Sequence, residues 1–357
     1  VIVDRYVSAA IARPFGIGVG VLASVFAGYT AAVRLDDAAQ GLMPLSSAAR
    51  LILLNTVIAL EILLPTALYF AVLSALGRLH GDSEIIALNA AGAGEYRVAR
   101  PVLGVALLVA ATTGVLSLYG RPWAYRESYR LESQAASDVT LDSIVAGRFL
   151  TLQNGRHVLY AGRVDRQRQR LEDVFLETDR GDSTQVIRAR AATLASATDG
   201  AGQRLEFHDG YSYLLDRRGS TDVNLRFGVL DVELQPAVDA ASARRKAASS
   251  ASLAQSEKPR DIAEYQWRLS TPLATLLLAL LAVPLSRGGP RHGRWRVHVI
   301  AVAVYTLLFN TVIFARNLVE QGAVGAVPGL WWVYGCAAGL LAVLMCRPRL
   351  LTGSAAP

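Results

Sequence analysis

Lysine is almost absent from this chain: of its 36 basic residues only Lys246 and Lys258 are lysines. Cysteine is as scarce, with Cys336 and Cys346 alone. Ten residues of helix would hold those two about 15 Å apart, too far for a disulfide within one helix. The cysteine count therefore leaves the compartment open. Charge is short as well, at 18% of residues against about 25% in a soluble domain. Neither lysine follows a glycine, so the phosphate-cradling G-x-x-x-x-G-K-[ST] loop is missing and the chain hydrolyses no ATP through it. H-E-x-x-H, C-x-x-C and G-x-S-x-G are missing too, and the five histidines (80, 157, 208, 292, 298) are scattered, which argues against a metal site. These gaps exclude a plain soluble enzyme, a coiled coil and a disordered chain.

What the chain has in quantity is apolar length. Hydrophobic residues make up 52% and the mean hydropathy is +0.32. A helix crosses a bilayer core of about 30 Å with about 20 apolar residues. Six segments meet that expectation: Ile11–Val33, Leu51–Leu76, Pro101–Tyr119, Leu269–Ser286, Val297–Ala315 and Val327–Cys346. The charge-free run from Pro14 to Val33 is longer than a signal-peptide core and reads as a span. Pro65 and Pro284 lie inside spans, where neighbouring helices can satisfy the freed backbone.

Arginine in the short flanks orients the spans. One side carries Arg5, Arg13, Arg78, Arg97, Arg100, Arg287, Arg291, Arg294, Arg296, Arg347 and Arg349, the other Arg34, Arg50 and Arg316. The richer side is expected in the cytoplasm, with both termini. The long stretch between the third and fourth spans is then expected outside. Arginines that flank apolar segments also argue against nucleic acid as the reason for a pI near 9.6.

In that insert, residues 120–265, the pattern changes. Arg121 to Val145 suits a helix continuing out of the third span, with Tyr125, Tyr129 and Leu131 at helical spacing. Then a period of two sets in. Arg148–Gln153 and Arg156–Ala161 flank Asn154-Gly155, a strong hairpin signal. Alternating runs follow at Leu171–Thr178, Thr184–Ala189, Gln203–His208, Tyr211–Asp216 and Asp222–Leu234. Turn clusters at Asp179-Arg180-Gly181-Asp182 and Asp199-Gly200-Ala201-Gly202 separate some of them. About seven to nine short strands at this spacing read as an antiparallel sandwich or jelly roll. Residues 236–260, rich in Ala and Ser, read as a flexible linker. The expected fold is a polytopic α-helical membrane protein with six spans and an inserted, jelly-roll-like all-β domain. Its parts are 1–119, 120–265 and 266–357.

The connection between the second and third spans runs Gly77-Arg78-Leu79-His80-Gly81-Asp82-Ser83-Glu84-Ile85-Ile86-Ala87-Leu88-Asn89-Ala90-Ala91-Gly92. Asp82 or Ser83 suits the cap of a short helix, about 82–91. Glu84 suits its positive N-terminal end, and Gly92 its stop. Such a helix is either a docking piece for a partner or a plain connector. Within the second span Glu61 is the single charge. An intramembrane carboxylate is a functional candidate by default, whether in proton coupling or in a structural polar contact with Asn55 or another helix.

Several short motifs, in order, resemble the LptF family, one of two related permease families of the Gram-negative lipopolysaccharide exporter. They are Asp4-Arg5-Tyr6, Gly77-Arg78-Leu79 with Ser83-Glu84-Ile85, Glu264 with Trp267-Arg268, Val283-Pro284-Leu285-Ser286, and Pro290-Arg291 with Gly293-Arg294. The layout of three spans, β insert and three spans covers nearly the whole chain. The Pro-Leu-Ser exit favours LptF over LptG, which has the same layout.

The resemblance implies a non-catalytic permease subunit in the inner membrane, without a cofactor of its own. Its partners would be an LptG-like permease, an LptB-like ATPase dimer that binds ATP and Mg, and an LptC-like bitopic β-domain protein. Lipopolysaccharide would enter sideways from the outer leaflet and pass on to the β domain. The implied substrate-binding residues are Arg34 and Arg316, whose guanidinium forks suit lipid phosphates, and Phe26, Phe309 and Phe314 for acyl chains. For the arginines the competing reading is an interface anchor with no ligand; for the Phe stripe it is ordinary helix packing. Ser83, Glu84, Ile85 and Leu88 would couple to the ATPase. Glu61 departs from the neutral polar residue the family favours. Two other classes of function stay open: a membrane-anchored sensor whose β domain binds a ligand, and a membrane enzyme acting on lipid or glycan through insert carboxylates such as Glu206 or Asp209.

Overall fold

The computed structural model describes residues 2–39, 43–90, 95–137, 146–152, 157–165, 170–179, 183–196, 203–216, 223–234, 240–287 and 294–346. Gly92, Arg180-Gly181-Asp182, the Asn154-Gly155 turn, the 199–202 cluster, the Pro290–Gly293 motif, Arg347 and Arg349 lie outside them. The chain divides into two compact units. One comprises Val1–Thr30, Leu53–Arg126 and Arg245–Pro357, the other Ala31–Ile52 and Glu127–Arg244.

The helices are α1 (Ile2–Ala39), α2 (Leu45–Gly81), α3 (Glu84–Ala90), α4 (Glu95–Val115), α5 (Arg121–Ser137), α6 (Ala240–Ala247), α7 (Ser250–Ala254), α8 (Pro259–Leu285), α9 (Arg294–Glu320) and α10 (Trp331–Cys346). A π-helical turn, Leu116–Gly120, joins α4 to α5, so the expected third span runs on without a break from Arg97 to Gln134. Five helices among the described residues are long and apolar enough to cross a membrane. The sixth expected span is shorter. α10 has 16 residues, about 24 Å by helical rise. Two residues explain why it does not begin at Val327. Gly329 takes φ +52°, outside the helical region, and Leu330, next to it, spends its N–H on a side chain. The side chain of Gln266 holds this segment from both ends, donating to Ala326 O at 2.7 Å and accepting from Leu330 N at 3.0 Å.

In the helical unit α8 is the central rod. Its inward stripe includes Leu278, Ala279, Ala282, Val283 and Leu285. These join a core with Val7 and Ile11 of α1, Leu68 to Leu79 of α2, Ile85 of α3 and Val98 to Val109 of α4. A second cluster packs Leu277 of α8 with Val312 and Ala315 of α9 and Val333, Tyr334 and Ala337 of α10. Small residues set the closest approaches: a Cβ on Gly114 of α4 would lie 3.6 Å from the Pro272 ring of α8.

The second unit contains one six-stranded antiparallel sheet: β1 (Phe149–Leu152), β2 (His157–Asp165), β3 (Arg170–Asp179), β4 (Ser183–Ser196), β5 (Gln203–Asp216) and β6 (Val223–Leu234), each paired with its neighbours in chain order. β1 and β2 form the hairpin the sequence signals, in register Phe149↔Tyr160 to Leu152↔His157. Among the described residues the strands are fewer and longer than expected. Gln203–His208 and Tyr211–Asp216 are one strand, kinked at Asp209 (φ 53°). Opposite it the ladder skips a row that contains Gly162, Asp173 (φ 51°), Arg190, Asp209 and Gly228. The inward parity changes across that row. Leu205 and Phe207 are buried before it and Gly210 and Ser212 after it. Leu171 and Val174 likewise enter one common core from either side. A strand that bends and swaps parity looks like two strands to a period-two reading.

The expected flexible linker is also partly ordered. Within residues 236–260 lie α6 and α7. Alanine favours helix, and the Ser249 hydroxyl caps α7 by accepting from Ser252 N at 3.2 Å.

Candidate functional site

Two features of the helical unit are candidates, and they share residues. The first is a cleft among α2, α8, α9 and α10 with a cavity volume of about 60 Å³. Ile62, Pro65, Ala274, Leu278, Leu308 and Val312 give it apolar walls, and Phe309 lines it too. Phe309 stacks on Tyr305, with ring planes 8° apart. The Tyr305 hydroxyl meets Thr66 Oγ1 at 2.7 Å. Ser270 donates its hydroxyl to Trp267 O at 2.9 Å, and the Thr271 hydroxyl lies within reach of both Trp267 O (2.9 Å) and Glu61 Oε1 (3.2 Å). The wall is thus apolar, with its polar groups already satisfied, and suits an alkyl chain. Glu61 lines it as well.

The second feature is a buried array of charges around Glu61 and Glu264, which are 2% and 0% exposed. Arg121 Nη1 lies 3.1 Å from both oxygens of Glu61, and its Nη2 lies 3.3 Å from Glu264 Oε1. Glu264 also pairs with Arg268 (3.2 Å) and Arg316 (3.0 Å). Arg316 reaches Glu320 at 2.8 Å and sits over the Trp267 ring at 5.0 Å. Ser117 of the π turn and Thr271 bring their hydroxyls to Glu61 Oε1 at 2.8 and 3.2 Å. Three glutamates and three arginines make the array neutral, the condition under which charges persist in an apolar interior. Beside it, Lys246 of α6 is held below the ordinary lysine range by burial and then by the Arg121 guanidinium.

The residues singled out in the sequence distribute as follows. Arg34, on α1, donates to Glu132 of α5 at 2.6 Å and lies 3.6 Å from Asp37. Arg316 is part of the buried array. Both are half-buried and engaged within the chain, so a phosphate would have to compete with carboxylates. Phe26 is half-buried on α1, Phe309 lines the cleft, and Phe314 is 59% exposed on α9. In the short connection α3 forms where expected. Ser83, at φ 60°, starts it by accepting from Ala87 N at 3.0 Å. Ile85 is buried in the helical core, Leu88 is half-buried, and Glu84 accepts from the Tyr6 hydroxyl at 2.9 Å. Glu206 lies 3.8 Å from His208 on β5, and Asp209 sits at the kink.

Arg121, Glu264, Arg268, Ser117 and Tyr305 were not foreseen as site residues. A signal existed for Glu264 and Arg268: opposite charges four residues apart at the mouth of an apolar span, with Trp267 between. None existed for Arg121, which reads as an ordinary flank of the third span.

Long apolar helices around a cleft, charges buried as a neutral set and a separate folded sheet define a polytopic membrane protein with a β insert. Residues 5–347 match the family described as lipopolysaccharide export system permease LptF/LptG, and the chain belongs to that family. It is similar to the lipopolysaccharide export system permease protein LptF of Escherichia coli (strain K12), with 27% identity over 311 residues covering 83% of this chain and 81% of that protein. The LptF of Shigella flexneri aligns with the same identity and coverage.

Proposed function

We propose that this chain is the LptF-type permease subunit of an ATP-driven lipopolysaccharide exporter in a Gram-negative inner membrane. It spans six times with both termini cytoplasmic, α10 being the shortest span, and its sheet is the periplasmic, jelly-roll-like part of a β bridge. ATP and Mg are bound by an LptB-like ATPase dimer, and this subunit is not itself catalytic. An LptG-like permease completes the cavity. The observation that carries the reading is the apolar cleft with Phe309 in its wall, in a chain of this permease family. Acyl chains gain by leaving water for such a wall, about 0.8 kcal/mol per buried CH₂.

The remaining roles follow from chemistry. Arg34 and Arg316 meet lipid phosphates by exchanging their present carboxylate partners, while Phe26 and Phe314 extend the apolar path. Ser83, Glu84, Ile85 and Leu88 couple to the ATPase. Ile85 anchors α3 in the core, so force on the helix reaches α2 and α4. β6, with one neighbour among the described residues and with Val223, Leu225 and Val229 more than half exposed, is an edge suited to strand addition by an LptC-like β domain.

The test is a photoreactive amino acid at position 309 in the complex, reconstituted with lipopolysaccharide. A lipid adduct that diminishes on adding ATP and Mg is the expected result. Export that proceeds with no adduct at 309 would overturn the assignment of the cleft.

A further inference from the structure

The buried array touches more than the cleft. α8 presents Glu264, Trp267, Arg268 and Thr271 at spacings of three and four, one stripe of one helix. Trp267 and Thr271 line the cleft, and Glu264 and Arg268 belong to the array. The Arg268 guanidinium is fully buried and uses its whole fork. Nε faces Glu264; Nη1 donates to Ala248 O (2.9 Å) and Ser250 Oγ (3.1 Å); Nη2 donates to Lys246 O (3.0 Å) and Arg245 O (3.4 Å). Those carbonyls lie at and just past the C-terminal end of α6, where a cation is favoured. On the other side, Ser250 Oγ donates to Leu118 O of the π turn at 2.8 Å, and Ser117 lies 3.1 Å from Arg268 O. The segment that leaves for the β insert and the segment that returns from it are therefore fastened to each other and to the cleft wall. Arg121 leaves one donor, Nε, without a partner among the described residues. An unpaired donor makes a buried polar network costly to hold, and π turns inside helices recur at functional sites.

We infer that Arg268 is a positioning residue. With Glu264 and Ser250 it forms a relay that turns occupancy of the cleft into movement of the two chain segments at the root of the β insert. This rests on the assignment of the cleft to lipid. An occupant that displaces Trp267 or Thr271 shifts the same α8 stripe that holds the carbonyls of 245, 246 and 248.

Hydrogen–deuterium exchange tests it on the full chain, purified with its native partners in nanodiscs, with and without hexa-acylated lipid A. In the unaltered protein lipid A slows exchange in cleft peptides 61–66 and 305–312 and alters it at 116–121 and 245–254. In Arg268→Met the cleft peptides still respond, but 245–254 exchanges about tenfold faster, as expected for loss of charge-assisted bonds, and no longer responds to lipid. Ser250→Ala keeps every charge and so guards against a variant that fails to fold; in it the response at 116–121 separates from that at 245–254. A lipid response at 245–254 that survives Arg268→Met intact overturns the relay. So does an unaltered protein whose cleft responds while 245–254 does not. A cleft that ignores lipid A removes the lipid assignment, and the relay with it.

Discussion

Glu61 and Arg121 show how much depends on which partner a buried charge keeps. Breaking a buried pair by removing one member costs about 3–5 kcal/mol, but the two halves are not equivalent. Arg121 without Glu61 retains Glu264. Among the described residues, Glu61 without Arg121 retains the hydroxyls of Ser117 and Thr271 alone. Arg121→Leu is therefore expected to lower the thermal midpoint of the purified chain more than Glu61→Leu, and the double substitution to fall no further than Arg121→Leu alone. A larger loss in Glu61→Leu would contradict the pairing. Gln266 makes a smaller case. Its amide donates to one end of the 326–330 segment and accepts from the other, so Gln266→Ala leaves the buried Leu330 N–H unpaired and releases the carbonyl of the exposed Ala326. At about 1–3 kcal/mol for the buried group, protease cleavage between α9 and α10 should rise about fivefold or more while the rest of the digestion pattern holds.

Among the elements, the strands were the least legible in the sequence, for a specific reason. Alternation reports which face a residue takes only while the strand stays straight. At Asp173 and Asp209 the backbone enters the left-handed region, and the inward parity changes with it. Gly210 makes the bend possible: a Cβ there would lie 2.5 Å from Arg188 O and 2.6 Å from the Phe227 ring. Gly210→Val should destabilise the sheet by about 1–3 kcal/mol, seen as earlier unfolding by exchange in peptides of β4 to β6, with α8 and α9 unaffected. The helices were legible because long apolar runs leave little choice. α3 was foreseen from its cap residues and acidic start. α6 and α7 were missed because an Ala/Ser-rich run serves a helix or a linker equally, and the arginine that decides between them lies about twenty residues further on. Phe309 in the cleft was legible only through the family resemblance, since a Phe on a span has no sequence mark that separates lining from packing.

For the whole molecule, the proposed roles fall on different units: lipid contact on the cleft of the apolar helices, and docking of another chain on the β6 edge of the sheet. A charge on that edge should affect the second role alone. Leu225→Lys with Val229→Lys places two cations on exposed positions of β6, where they block edge pairing and leave the core of Leu205 and Phe207 untouched. The expected result is a normally folded, membrane-inserted chain that no longer retains its β-domain partner on co-purification. Unchanged retention would remove β6 as the docking strand.

The unequal pairing at Glu61 and Arg121 also sets an order in which this protein can change over generations. Losing the acid at 61 leaves the cation at 121 with Glu264, whereas losing the cation first leaves the acid among hydroxyls in oil. Descendant lineages should therefore give up position 61 before position 121, and a natural variant that keeps the acid without the cation would be the place to look for a replacement base.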